Sequence, residues 1–344
     1  MASRVWWLAT ALIASACHTA LGKCDIWSVC PPCDEFIEAG KINNNVTDLY
    51  LGDCNITTTN LDNLKYYPKL KSLHLYGNKI SQIKAGTFDS LTNLYYLFLK
   101  QNAIVGRDLP AHLFRNWHSS KQLYINFDDN NMIDTPDDLF QGLDLFGLAL
   151  NNCSLREFPS FVKRQVFQDM QYLQLEHNLI SKLDDPDTFA SNINLETLFI
   201  SNNIIDFLHA DLLKPLAKIE DIYMKNNRIR IIPDGFFHDK ASLSTVTLAN
   251  NLIEHLPANT FLGTRLGYLS VTGNRLRHLP ANFLSELQTN GVSLKVFYFD
   301  QNPWQFSCVN KLLSEVKNQN IIYNTGVDHE YRHHLFEYDL FKCE

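Results

Sequence analysis

The feature that most constrains the fold of this chain is a polar position that returns at a nearly constant interval behind an apolar frame. In its clearest copy the frame reads Leu70-x-x-Leu73-x-Leu75-x-x-Asn78-x-Ile80. The recurring position, spaced by steps of 23 to 28 residues, is occupied by Cys54, Asn78, Asn102, Asn130, Cys153, Asn178, Asn203, Asn227, Asn251, Asn274 and Asn302. A period of this length predicts a solenoid, in which each repeat buries its apolar face only against its neighbours.

Each copy of the frame predicts one short strand with its leucines inward, and successive strands pair in parallel. An asparagine side chain both donates and accepts hydrogen bonds, so the ladder residue can bond the backbone of the adjacent turn. The pattern therefore predicts an α/β fold, a leucine-rich repeat solenoid with a curved parallel sheet on its concave face. The strands are predicted at Thr47–Leu51, Lys71–Leu75, Tyr95–Leu99, Leu123–Phe127, Phe146–Leu150, Gln171–Leu175, Glu196–Ile200, Glu220–Met224, Ser244–Leu248, Gly267–Val271 and Lys295–Phe299. The longer steps predict bulging loops at Gly106–Pro110 and around Thr289–Gly291.

The two ends of the chain predict secretion and capping. Residues 1–22 read as a signal peptide, with a basic start, an apolar stretch and small residues before Lys23. Residues 23–45 are predicted to form an N-terminal cap, 46–302 about eleven repeats, and 303–344 a C-terminal cap with a helix at Val309–Asn318. No later apolar run is long enough to cross a bilayer, so we expect a secreted, extracellular protein without a membrane anchor.

Cysteines and glycosylation sequons fit an oxidising compartment. Six cysteines are candidates for cap disulfides: Cys24, Cys30, Cys33, Cys54, Cys308 and Cys343. Asparagine sequons stand at Asn45, Asn55 and Asn152. Without the signal peptide seven cysteines remain, and this odd count leaves two alternatives: a disulfide-linked oligomer, or a buried free thiol at Cys153.

The residues that face the concave side are rich in tyrosine, which is enriched at binding surfaces because it combines a rigid apolar ring with a polar tip. An alternative explanation is that aromatic residues favour strands in any case. We predict that this face binds a protein partner. The predicted contact residues are Tyr50, Tyr76, Tyr96, Phe98, Tyr124, Tyr172, Phe199, Tyr223, Tyr268 and Tyr298.

Two other groups of residues invite a functional interpretation. Asp128, Asp129 and Glu176 form an acidic cluster that could steer a basic partner, bind a divalent cation or simply be a solvated rim. His329-Glu330-Tyr331-Arg332-His333 matches the zinc signature H-E-x-x-H. Because this motif lies beyond the last repeat, we predict neither catalysis nor a metal or other cofactor, and zinc hydrolysis is only a remote alternative. The net charge of −7 and the lack of a basic block argue against nucleic-acid binding.

The repeat frame and the cysteine-bearing ends resemble the extracellular leucine-rich repeat family of animals, including Toll-like receptor ectodomains, small secreted arthropod proteins and the mosquito leucine-rich immune proteins. The resemblance implies extracellular protein recognition, with innate immunity as the leading context. It also implies a cap cysteine at position 306, where this chain has Phe306, which leaves one C-terminal cap disulfide. The alternative functions are a developmental or neuronal adhesion factor and an antagonist of an extracellular ligand.

Overall fold

The computed structural model describes residues 33, 36, 38, 44–114, 117, 122–257 and 259–324. Within these residues, eleven parallel strands form one sheet in the order of the chain, and two further strands pair separately. The strands are β1 (Asp48–Tyr50), β2 (Ser72–His74), β3 (Tyr96–Phe98), β4 (Leu123–Asn126), β5 (Leu145–Ala149), β6 (Tyr172–Gln174), β7 (Lys182–Leu183), β8 (Thr197–Phe199), β9 (Phe207–Leu208), β10 (Asp221–Tyr223), β11 (Thr245–Thr247), β12 (Tyr268–Ser270) and β13 (Val296–Tyr298). The α-helices bounded within these residues are α1 (Phe283–Thr289) and α2 (Phe306–Asn318), and 3-10 helices lie at Thr58–Tyr66, Gly106–Asp108, Ser160–Lys163 and Gln165–Phe167.

The predicted leucine-rich repeat solenoid with its parallel sheet is confirmed. All eleven predicted strand positions coincide with strands of the large sheet, and most strands are two residues shorter than predicted. The central residue of each strand points inward and is paired with its equivalent in the next repeat, as Leu73 is with Leu97. Both of these leucines are fully buried. The repeats therefore stack in register, which places equivalent side chains in continuous columns.

The asparagine ladder joins each repeat to the one before it. Asn78 Nδ2 donates to the carbonyl oxygen of Leu51 at 2.7 Å and to that of Leu75 at 2.9 Å, and its Oδ1 accepts from the Ile56 amide at 2.9 Å. Equivalent bonds recur at the other ladder asparagines up to Asn302. These bonds satisfy buried backbone groups that the short strands leave unpaired.

The residue before each ladder position adopts a left-handed backbone. At all eleven such positions φ lies between 51° and 68°. Most of these residues are glycine, asparagine or aspartate, the types that tolerate this conformation best. The chain therefore reverses direction at the same point of every repeat, which ends the strand and begins the convex segment.

A column of phenylalanine rings fills the convex half of the solenoid. Phe88 lies 5.8 Å from Phe114, and Phe237 lies 5.3 Å from Phe261, measured between ring centroids. Nearby, the buried Trp117 donates its Nε1 hydrogen to the carbonyl oxygen of Leu91. The ring contacts extend from Phe88 to Phe189 and from Phe237 to Phe283, and the buried Leu212 and Leu213 occupy the repeat between them, so the core is continuous along the solenoid axis.

The irregular repeats differ from the predicted loops. The insertion after Asn102 contains one turn of 3-10 helix at Gly106–Asp108. Near Gly291, most of the additional residues form the helix α1, which buries three apolar side chains. The prediction of a simple bulging loop was therefore wrong there. Helix α2 begins three residues before the predicted start. The pair β7–β9 lies outside the main sheet and was not predicted.

Candidate functional site

The concave face is built from the side chains that flank the central residue of each strand. In β3 the central Leu97 is buried, whereas Tyr96 and Phe98 on either side are partly exposed. The same alternation follows from the two-residue period of a strand and recurs along the sheet. Two aromatic regions result, one at each end of the face, with a polar region between them.

The N-terminal aromatic region is organised around His74. Its ring stacks between Tyr50, with centroids 4.3 Å apart, and Phe98, at 4.5 Å, while Tyr76 meets it edge-on. Burial lowers the pKa of His74 to about 4, so the ring is neutral at physiological pH. Its Nε2 lies 2.8 Å from Ser72 Oγ. This histidine therefore contributes to packing as a neutral aromatic ring.

Two predicted contact residues, Tyr124 and Tyr172, are buried rather than available to a partner. Their side chains retain 6% and 8% exposure. The cause is an irregularity between β4 and β5, which pairs Leu123 with Leu145 but Tyr124 with Gly147, and so leaves Phe146 as an extra residue. Phe146 packs within 6.0 Å of the Tyr124 ring and 6.3 Å of the Tyr172 ring. We therefore assign both tyrosines to the packing of the sheet.

A glycine makes the position of Tyr124 possible. A Cβ atom at Gly147 would lie 2.6 Å from Cδ2 of the Tyr124 ring, which is closer than van der Waals contact allows. Burial raises the pKa of Tyr124 above its usual range, and its hydroxyl lies 3.4 Å from Gln174 Nε2. Phe146 could not be predicted as part of this face, because it falls outside the three outward columns of the regular repeat.

The acidic cluster in the middle of the face is held by hydrogen bonds. Asp128 accepts from the Asn126 side chain at 2.9 Å and from the Asn151 amide at 2.7 Å. Burial raises the pKa of Asp128 and that of Glu176. Asp129 lies 3.5 Å from Lys100 Nζ. Among the described residues no group of three or more histidine, cysteine or acidic side chains is arranged to hold a metal ion.

The C-terminal aromatic region borders an open groove of about 580 Å³. Tyr223, Tyr268 and Tyr298 line it together with Ser270, Thr272 and Lys225. Phe199 stacks on Tyr223 with centroids 4.7 Å apart and nearly parallel planes, and Tyr268 meets Tyr298 edge-on at 5.7 Å. Burial raises the pKa of Tyr223 to about 12, so its hydroxyl remains a neutral hydrogen-bonding group.

A second ladder of amide side chains forms the lip of this groove. Asn226 Nδ2 donates to Asn202 Oδ1 at 2.6 Å, and Asn250 Nδ2 donates to Asn226 Oδ1 at 2.8 Å. All three line the groove. The lining of the groove thus combines aromatic rings with hydroxyl and amide groups.

The structure describes only some of the predicted cap and modification residues. Cys33 forms a disulfide with Cys54, and Cys308 is also disulfide-bonded. Cys153 is a buried free thiol on the ladder, and its Sγ lies 3.3 Å from the Phe127 carbonyl oxygen. The predicted signal peptide, Cys24, Cys30, Cys343 and the H-E-x-x-H motif lie outside the described residues.

The three predicted glycosylation sites lie on the surface. Asn45, Asn55 and Asn152 are all exposed. Asn45 Oδ1 accepts from Lys69 Nζ at 2.7 Å, and Asn152 Nδ2 donates to Asp129 Oδ1 at 2.8 Å. In the part of the chain that the structure describes, no helix combines the length and apolar character needed to cross a membrane.

Sequence comparisons agree with the repeat architecture. The family model described as leucine rich repeat matches residues 44–104 and 168–229. Human lumican is 27% identical over 237 residues, which cover 68% of this chain and 65% of lumican. Chicken fibromodulin is 29% identical over 245 residues, which cover 68% of this chain and 61% of fibromodulin. The match therefore spans just under two thirds of these relatives.

Solved structures share the fold at lower sequence identity. A chain of the octameric complex of latrophilin 3, Unc5D and the leucine-rich repeat part of FLRT2 superposes with a TM-score of 0.58 at 21% identity, covering 82% of this chain and 84% of that one. A leucine-rich repeat protein of Leptospira interrogans superposes with a TM-score of 0.51 at 18% identity, covering 81% and 76%. The chain therefore has the leucine-rich repeat fold, and in sequence it is similar to lumican and fibromodulin.

Proposed function

We propose that this chain is a secreted, non-catalytic protein that binds an extracellular protein through the C-terminal half of its concave face. The groove bordered by Tyr223, Tyr268 and Tyr298 carries this proposal. These three tyrosines are only partly buried, unlike Tyr124 and Tyr172. Partly exposed tyrosines grouped around a concavity are typical of the residues that dominate binding energy at protein interfaces.

The composition of the groove favours a protein segment as the ligand. Protein interfaces combine a core of aromatic groups with a polar rim. The tyrosine rings would supply the core, and Ser270, Thr272 and the amide lip of Asn202, Asn226 and Asn250 would supply the rim. The strands of the sheet hold the ring-bearing backbone in register, so little conformational entropy is lost on binding.

Three observations support an extracellular location. Residues 1–22 have the pattern of a signal peptide. The Cys33–Cys54 disulfide fits an oxidising compartment. The relatives lumican and fibromodulin are extracellular matrix proteins. These relatives favour a matrix or adhesion context, whereas the resemblance to arthropod immune proteins favours innate immune recognition.

Paired substitutions in the groove test the proposal. Tyr268→Ala combined with Tyr298→Ala removes both rings of the edge-on pair, and Tyr66→Ala removes an exposed tyrosine on the convex side. Partner proteins would be isolated from the organism's extracellular fluid and their affinities measured with purified variants. We expect the double variant to bind at least about tenfold more weakly, with normal secretion. Equal loss from Tyr66→Ala, or no loss from the double variant, would refute the assignment.

Two further measurements address the alternatives. Expression that rises after microbial challenge would support immune recognition, and expression confined to developmental stages would support adhesion. Stoichiometric zinc in the purified protein, together with a hydrolytic activity that His333→Ala abolishes, would contradict the absence of catalysis.

A further inference from the structure

One flank of the solenoid carries a column of charges with alternating sign. The third residue after the ladder position is Asp206, Arg230, Glu254 and Arg277 in four successive repeats. All four side chains are exposed. In the described part of the chain, the side-chain contact recorded for this column is a long one, 4.0 Å, between Glu254 and Arg275.

A second column, which is apolar in its first two members, runs beside the charges. The next residue in the same four repeats is Phe207, Ile231, His255 and His278, and the first two are 50% and 75% exposed. Phe207 lies in β9, and Ile231 and His255 form a parallel backbone bridge, so the column is held on ordered backbone. We define the flank patch as Asp206, Arg230, Glu254 and Arg277 together with Phe207, Ile231 and His255. Adjacent exposed apolar side chains with a polar border are typical of an interaction surface.

We propose that the flank patch is the interface between two copies of this chain, related by a twofold axis that passes between Arg230 and Glu254. In a twofold dimer the column of one copy meets the same column running in the opposite direction. With the axis at this point, Arg230 faces Glu254 of the second copy and Asp206 faces Arg277. The symmetry repeats both pairs, so the interface contains four pairs of opposite charge.

The neighbouring registers place like charges opposite each other. An axis through Arg230 would set Asp206 against Glu254, and an axis through Glu254 would set Arg230 against Arg277. Like charges in contact oppose association strongly, so these two registers are disfavoured. Moving the axis by a whole repeat keeps opposite charges together but leaves two such pairs in place of four, so the axis between Arg230 and Glu254 gives the most favourable pairing. Both copies have the same repeat spacing, so the pairs can align together.

The same register brings the second column together. Ile231 of one copy meets His255 of the other, which would cover the most exposed of the large apolar side chains in the described residues. The three sequons, at Asn45, Asn55 and Asn152, precede the repeats of the patch, so glycans there would leave the flank uncovered. This interface does not involve the concave face, and therefore does not depend on the function proposed above.

A charge-swap cycle tests the proposal by sedimentation equilibrium of the secreted full-length chain over a wide concentration series. Arg230→Glu and Glu254→Arg each create like-charge pairs, and we expect each to raise the dimer dissociation constant at least about tenfold. The double variant R230E/E254R restores opposite charges in every pair and should recover most of the affinity. Arg156→Glu is the matched control, because Arg156 occupies the same repeat position but faces no charge in this register.

The outcomes separate a noncovalent dimer from other states. Weakening by both single variants, recovery in the double variant and no effect of R156E would support the proposal. A monomer at all concentrations would overturn it, as would a dimer unaffected by R230E or a double variant as weak as the single ones. Non-reducing electrophoresis identifies a disulfide-linked dimer, and persistence of such a dimer in R230E would also count against this interface.

Discussion

Replacing Asn227 with alanine removes one rung of the ladder that joins the seventh and eighth repeats. Its Nδ2 donates to the carbonyl oxygens of Ile200 and Met224, both at 3.1 Å, and its Oδ1 accepts from the Ile205 amide at 3.1 Å. Asn227 itself is buried. The substitution would therefore leave three backbone groups without their partner in the interior.

The expected loss of stability follows from those three groups. A buried polar group that loses its partner costs about 1–3 kcal/mol, and water that enters the vacated space recovers part of this. We expect Asn227→Ala to lower the free energy of unfolding by about 3–5 kcal/mol, measured by urea denaturation followed by circular dichroism. The ladder couples adjacent repeats, so its loss should make unfolding less cooperative. We therefore also expect the free energy of unfolding to depend less steeply on urea concentration in Asn227→Ala than in the wild type.

Asn93→Ala is the control for this experiment. Asn93 is exposed, and the contact recorded for its side chain is one bond of 3.3 Å to the Pro68 carbonyl oxygen. Its replacement should cost no more than about 0.5 kcal/mol. If Asn227→Ala cost no more than Asn93→Ala, the ladder would not be what couples the repeats.

Three further predictions concern packing and protonation. Burial lowers the pKa of His74 to about 4, against about 6.5 in the unfolded chain, so the unfolded state binds more protons between these values and stability falls as pH drops from about 6.5 to 4. In urea unfolding, the free energy of unfolding of the wild type should fall by up to about 3 kcal/mol over this pH range, and that of His74→Phe should not show this fall. An equal fall in both proteins would refute the assignment to His74. Gly147→Ala should lower the stability of the fold by about 1–3 kcal/mol, because its added Cβ would clash with the Tyr124 ring. Gly267→Ala is the control and should leave stability unchanged, because its added Cβ would meet nothing closer than 3.9 Å. Equal shifts of the thermal unfolding midpoint in the two variants would contradict this prediction. Burial also raises the pKa of the Cys153 thiol, so peptide mapping should find Cys153 alkylated only after unfolding, and alkylation in the native protein would contradict its burial.

The strand positions could be predicted because every repeat imposes the same inward residues. Leu73 and Leu97 follow one frame, and the structure pairs them directly. The left-handed turns, which the sequence did not predict, recur with the same period, since each precedes a ladder residue. The free thiol at Cys153 fits the same rule, because a small side chain can take the place of the asparagine inside the turn.

What the period could not predict were departures within a single repeat. Phe146 enters the concave face through an irregular pairing of β4 with β5, and it thereby buries Tyr124 and Tyr172. Column position alone had suggested that all the tyrosines were equally available. Exposure depends on neighbours across the sheet, and these differ from one repeat to the next.

The C-terminal half of the concave face is the surface that we propose a partner protein contacts. Photo-crosslinking from a benzoylphenylalanine placed at Tyr268, compared with the same group at the convex Tyr66, tests this proposal most directly. We predict that one protein from extracellular fluid is captured from position 268 and not from position 66, and that excess unlabelled chain competes for it. Capture of the same protein from both positions, or from position 66 alone, would contradict the proposal.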